Sequence, residues 1–174
     1  MNTRHSFGER LLGAARLDID TYEEVEADTT ATLQAALVVC LSAASVAIGE
    51  LNTGLAAVLS GVAAELLGWL LWSAITWLIG DKLLGGTATW GELQRTIGFA
   101  QGPGLLSALR AIPGLDRAVE VVVALWKLVA VIVAIRQALD FGTGKAILTA
   151  VLGFVAYVGL GVLIAIGLGV PVPI

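Results

Sequence analysis

Few side chains in this chain could do chemistry, and two of them stand where charge is least expected. Glu65 lies ten residues into the apolar run that begins at Leu55, and Lys127 lies eleven residues past Asp116 in another such run. At 1.5 Å per residue, each sits ~15 Å from the start of its run. An ionisable group at bilayer depth is expensive and points to a partner or a function. Matched depth and opposite charge predict an ion pair between two helices. Glu120 precedes Lys127 by seven residues, which is ~20° around a helix but ~10 Å along it. Gln101, beside Pro103, is expected to face the same polar seam. The seam has three readings: a structural pair that fixes packing and register, a contact facing a partner, or a polar path or ligand site between helices.

Other chemistries lack their parts. Cys40 is the one cysteine and His5 the one histidine. A zinc site built from His and Cys is therefore not expected, and neither is Ser-His or Cys-His catalysis. Cys40, between Val39 and Leu41, reads as a small buried hydrophobe. No basic patch suggests nucleic acid. No enzyme activity, cofactor or metal is expected.

The elements that must position the seam follow from composition. Of 174 residues, 57% are hydrophobic and only 14% charged, against about 25% charged in soluble domains. Mean hydropathy is +0.90. Apolar runs reach the ~18 residues a membrane crossing needs. The expected fold class is an all-α membrane protein with five transmembrane helices and a short N-terminal amphipathic interfacial helix. Residues 1–28 form a cytosolic amphipathic and acidic tail, holding seven of the 14 acids. Residues 29–174 form the membrane domain, with spans at about 31–48, 55–79, 95–112, 116–139 and 145–168.

Within the tail, Phe7, Leu11, Leu12, Ala14 and Ala15 share one helical arc, as in a helix lying at a membrane surface. Thr21 and Glu24 have the spacing of a capping box, predicting one helix that starts near Tyr22 and runs into the membrane. In the third span, Gln101-Gly102-Pro103-Gly104 interrupts the apolar run. Pro103 lacks an N–H and obstructs the carbonyl of Phe99, so a broken helix is expected there. In the fifth span, Ala146, Ala150 and Gly153 form a small-residue face suited to close packing within the fold.

Orientation follows the basic residues. With the N-terminus inside, Arg4, Arg10, Arg16, Lys82, Arg95, Arg136 and Lys145 fall on the inner side, and Arg110 and Arg117 on the outer. Arg95, Arg110 and Arg136 read as interfacial anchors near helix ends. Trp77 and Trp90 read as interfacial aromatics, and Trp69, Trp72 and Trp126 as packing residues. The expected location is a prokaryotic cytoplasmic membrane, N-terminus inside and C-terminus outside.

From Gly68 onward the chain resembles the Yip1 family of membrane proteins. The resembling pieces are Trp69-Leu70-Leu71-Trp72, Leu83-Leu84-Gly85-Gly86, Trp90-Gly91-Glu92-Leu93, Arg95 to Ala100 with Pro103, and Ile112-Pro113-Gly114. Ala124-Leu125-Trp126, Val133 to Leu139 and Lys145-Ala146 follow in order. Upstream, Tyr22-Glu23-Glu24-Val25 and Gln34-Ala35 also fit. The resemblance implies five spans and a cytosolic N-terminus. It associates eukaryotic members with Rab GTPases through a long N-terminal region carrying an Asp-Leu-Tyr-Gly-Pro motif. Here the tail is short and the motif absent, so a Rab-type GTPase is not an expected partner. The expected partners are the lipid bilayer and other membrane proteins or a second copy. The expected function is a non-enzymatic membrane organiser, scaffold or accessory subunit; the alternative is a small transporter or channel with a polar midplane site.

Overall fold

Ser6 and Glu9 start the first helix. The Ser6 hydroxyl accepts from the Glu9 N–H at 3.4 Å, and the Glu9 carboxylate accepts from the Ser6 N–H at 2.7 Å. That reciprocal box opens α1, Phe7–Ala15. Leu17, at φ 63°, turns the chain into α2, Ile19–Ala27. The computed structural model describes residues 5–50 and 54–167, and all regular structure among them is helical.

The expected cap at Thr21 and Glu24 does not form. Both residues lie inside α2: the Thr21 hydroxyl donates to Asp18 at 2.7 Å, and the Glu24 carboxylate accepts from the Arg10 guanidinium. A charge-assisted bond to Arg10 outcompetes a neutral backbone N–H for that carboxylate. Nor does one helix continue into the membrane. The chain breaks at Asp28, whose carboxylate accepts from the Thr30 N–H and hydroxyl, and a separate helix begins at Ala31.

Among the described residues, four helices are long and apolar enough to cross a membrane, by length and composition. They are α3 (Ala31–Gly49), α4 (Leu55–Trp77, prolonged to Leu83 by a wider π-helical turn), α6 (Asp116–Ala138) and α7 (Thr143–Gly167). The remaining hydrophobic segment, 95–112, is not one continuous helix. Helix α5 runs Trp90–Phe99 from a second capping box at Thr89 and Glu92, and a 3-10 helix runs Gly102–Ala111 with Pro103 in its first turn. The expected break at Pro103 is thus present, but as a change of helix type rather than a kink. A ten-residue 3-10 run is long for that geometry, where about 3–4 residues are usual.

Helix α3 makes this irregular segment possible. Ala35, Ser42 and Gly49 recur at seven-residue spacing on α3 and meet Gly98, Gly104 and Ser107. A Cβ on Gly98 would lie 2.7 Å from the Ala35 Cβ, and one on Gly49 would lie 2.4 Å from the Ser107 carbonyl oxygen. Small residues thus bring two backbones together, and buried protein surface shelters the irregular one. The face Ala146, Ala150, Gly153 on α7 is buried; a Cβ on Gly153 would meet the Thr76 hydroxyl of α4 at 3.2 Å.

The hairpin α1–α2 packs against α5, α6 and the 3-10 segment. Ala14, Tyr22 and Val25 are fully buried, Phe7 stacks at a tilt on Phe99 with centroids 6.4 Å apart, and the Trp126 indole donates to the Ala15 carbonyl at 2.8 Å. The apolar arc of α1 is therefore largely spent on protein contacts, with Leu12 left 57% exposed.

Candidate functional site

Helices α4 and α6 pass with little direct contact, while α7 packs on both. The gap between α4 and α6 is a cavity of about 610 Å³. Gln101, at the joint between α5 and the 3-10 segment, forms part of its wall. Its apolar wall includes Trp69, Val131, Ala150 and Phe154, and its polar lining includes Glu65, Lys127, Gln101 and Tyr157.

Lys127 Nζ stands 3.9 Å from Glu65 Oε1. That is an ion pair without a direct hydrogen bond. Glu65 is 47% exposed and Lys127 28%, and both also line a second cavity of about 340 Å³ with Ser42, Glu50 and Gly61. The pair thus stands between two cavities, one toward the start of α4 and one toward its middle. Gln101 is 95% buried, at 5% exposure, and its Oε1 has no hydrogen-bond partner; the buried Trp72 Nε1 also has none. Orphaned buried polar atoms are rare in folded proteins and call for an explanation.

Glu120 does not join them. It lies one turn into α6, exposed, and accepts from Arg117 at 3.0 Å. The depth expected for Lys127 also changes on one flank. Trp126 reaches the α1–α2 turn, where Arg16, Asp18 and Asp20 are exposed. Charged, water-seeking groups therefore come to the level of Lys127 beside α6, leaving the ~15 Å from Asp116 to Trp126 as uncovered apolar length there.

The charges at the other end act as joints. Arg10 is 2% exposed. Its guanidinium donates to Glu24 and Asp28 at 2.8 Å each and to Gln34 at 3.1 Å, tying α1 to α2 and α3. His5 also bonds the Glu24 carboxylate. Burial pushes Glu24 up, but the His5 and Arg10 bonds prevail and hold it below the ordinary carboxylate value. Sequence reading missed this hub; Glu24 and Asp28, four apart on one helical face, were its available signal.

Arg95 is a correction. It is not an interfacial anchor: at 5% exposure it donates to the carbonyls of Val25 and Glu26, fastening α5 to the end of α2. The last carbonyls of a helix lack internal partners, and a guanidinium suits them. Beside it, burial and the nearby Glu92, Asp140 and Glu23 carboxylates push Glu26 up to about 7. Arg110 is half-buried beside Gly49, and Arg136 half-buried in the last turn of α6. The Trp77 indole donates to Ala88 and lies under Lys82; the exposed Trp90 donates to Ser73. Among the described residues, no group of three His, Cys, Asp or Glu is placed to hold a metal ion.

Residues 24–166 match the Yip1 domain family. The chain belongs to the Yip1 family. The matched region begins at the Arg10-bound Glu24 and contains Glu65, Gln101, Pro103 and Lys127. This Yip1 domain protein is a multi-pass membrane protein with apolar transmembrane helices. No curated protein and no solved structure matches the chain.

Proposed function

We propose that this Yip1 domain protein is a non-enzymatic membrane organiser: an accessory subunit that presents a rigid helical hairpin at the inner face of a membrane bundle. The observation that carries this reading is the double fastening of α2. Arg10 and Arg95, both buried, tie it to α1, α3 and α5. Two charged side chains committed to internal joints make a fixed platform rather than a reactive centre. The platform leaves Asp18, Asp20 and Glu23 exposed.

The topology proposed with it has five crossings, N-terminus inside. Helix α5 contributes ~15 Å and the 3-10 segment ~20 Å at 2.0 Å per residue, enough together for a fifth crossing in two pieces. Leu12 and Ile19, both exposed, suit a hairpin resting at the inner interface. The test is purification in native membrane nanodiscs with the composition of the particle measured. The reading expects one membrane protein at fixed stoichiometry, lost when Asp20 and Glu23 are replaced by Lys. A lone protein of unchanged composition in both forms contradicts it.

A second reading, a small transporter or channel, is favoured by the two cavities that meet at Glu65 and Lys127. Discontinuous helices beside polar sites are common in transporters. It expects solute flux in proteoliposomes that Lys127→Met abolishes while the protein remains folded.

A further inference from the structure

The cavity between α4, α6 and α7 holds unsatisfied polarity that neither the platform nor the ion pair explains. Three features define what would satisfy it. The first is charge. The cavity carries one cation, Lys127, and one anion, Glu65. A ligand with a lone charge would pair with one of them and leave the other uncompensated in a low-dielectric site, which is costly. The occupant is therefore electrically neutral.

The second feature is hydrogen bonding. Gln101 Oε1 requires a donor; the other unpaired groups nearby, Trp72 Nε1 and Thr76 Oγ1, both lie against Gly153 at the α4–α7 contact. The 3.9 Å gap between Lys127 Nζ and Glu65 Oε1 leaves an acceptor site on the ammonium side and a donor site on the carboxylate side. A hydroxyl meets both demands at once, since its oxygen accepts and its proton is donated. It also serves either orientation of the Gln101 amide, whose O and N are interchangeable in assignment.

The third feature is shape. The cavity extends ~10 Å along α4 from Glu65 to Trp72, seven residues on the same face. Its rim carries Leu128, Ile147, Val151 and Phe154, all large apolar side chains exposed on the outer surface of α6 and α7. A rim of that kind opens toward hydrocarbon, so an occupant can enter sideways from the bilayer. The volume of about 610 Å³ falls within the ~300–1,000 Å³ typical of small-molecule sites.

We infer that this cavity binds a neutral, hydroxyl-bearing, single-chain amphiphile. Its hydroxyl lies among Glu65, Lys127 and Gln101, and its chain runs along the α6–α7 wall. A monoacylglycerol has this chemistry. The site stands apart from the platform reading, because it uses neither the hairpin nor a protein partner.

The test uses the full-length protein in phosphatidylcholine nanodiscs and a monooleoylglycerol with a diazirine in its acyl chain. Photolabelled peptides are mapped by mass spectrometry, with unlabelled monooleoylglycerol, oleate or lysophosphatidylglycerol as competitors. The expected result is saturable labelling within Ile147–Phe154 and Leu128–Ile132, with monooleoylglycerol competing at least tenfold better than either anion. Gln101→Leu is expected to weaken competition about fivefold, the worth of one hydrogen bond. Val151→Trp, which fills the rim from an exposed position, should abolish labelling in a protein with unchanged helix content. Unsaturable labelling, or labelling spread evenly over lipid-facing helices, overturns the site. Equal or better competition by the anions overturns the neutral head group.

Discussion

Gly104 and Ser42 touch so closely that a Cβ on the glycine would lie 2.0 Å from the Ser42 hydroxyl oxygen. This contact presses the 3-10 segment onto α3, and through the neighbouring joint it sets where Gln101 stands.

Gly104→Ala should therefore destabilise the protein by about 1–3 kcal/mol, the usual cost of overpacking. Ser42→Gly in the same chain should restore most of that loss, because the new methyl then has room. Thermal unfolding in nanodiscs of the two single variants and the double variant checks this. A double variant no more stable than Gly104→Ala would show that the crossing is looser than described.

Arg10→Met should loosen the N-terminal hairpin. It leaves Glu24 and Asp28 facing each other without the guanidinium between them, and breaking a buried charge network typically costs about 3–5 kcal/mol. The expected readout is faster amide hydrogen exchange across residues 7–27, with α6 and α7 little changed. Equal acceleration everywhere would mean that the hairpin and bundle unfold as one unit.

Glu26 gives the hairpin a pH dependence of defined sign. Burial and the neighbouring carboxylates push its carboxyl up to about 7 in the folded protein, from an ordinary value of about 4.5. Between those values the folded state binds more protons than the unfolded one, so stability falls as pH rises through the window. The neutral form's contribution is fully present below about 4.5 and lost above about 7. Glu26→Gln should flatten this slope and make the protein more stable than the wild type at pH 8. An unchanged slope in the variant would assign the dependence to another group.

The sequence made the membrane class, the four long apolar helices and the interruption at Pro103 legible, because each follows from local chemistry. Run length sets a crossing, and a missing N–H sets a break. The opposition of Glu65 and Lys127 was readable for a related reason: depth along two helices can be counted from their ends. Tertiary competition was not readable. Glu24 had the spacing of a capping residue, yet Arg10 takes its carboxylate from 14 residues away. Arg95 looked like an anchor because it stood near a helix end; it is buried because α2 folds back onto α5. Glu120 had the right face of α6, but Arg117 was one turn away and took it. The unsatisfied Gln101 could not be inferred at all, since orphaned polarity depends on what is missing around a side chain.

Glu65 and Lys127 line both cavities, and removing one partner of such a pair leaves the other charge uncompensated there. The most direct measurement is a double-mutant cycle of Glu65→Gln and Lys127→Met, read as unfolding free energy in phosphatidylcholine nanodiscs. The pair predicts that the double variant loses less than the sum of the single losses, with a coupling of at least about 1 kcal/mol. Single losses that add to within about 0.3 kcal/mol would contradict it, and would mean that the two charges do not sense each other across the cavity.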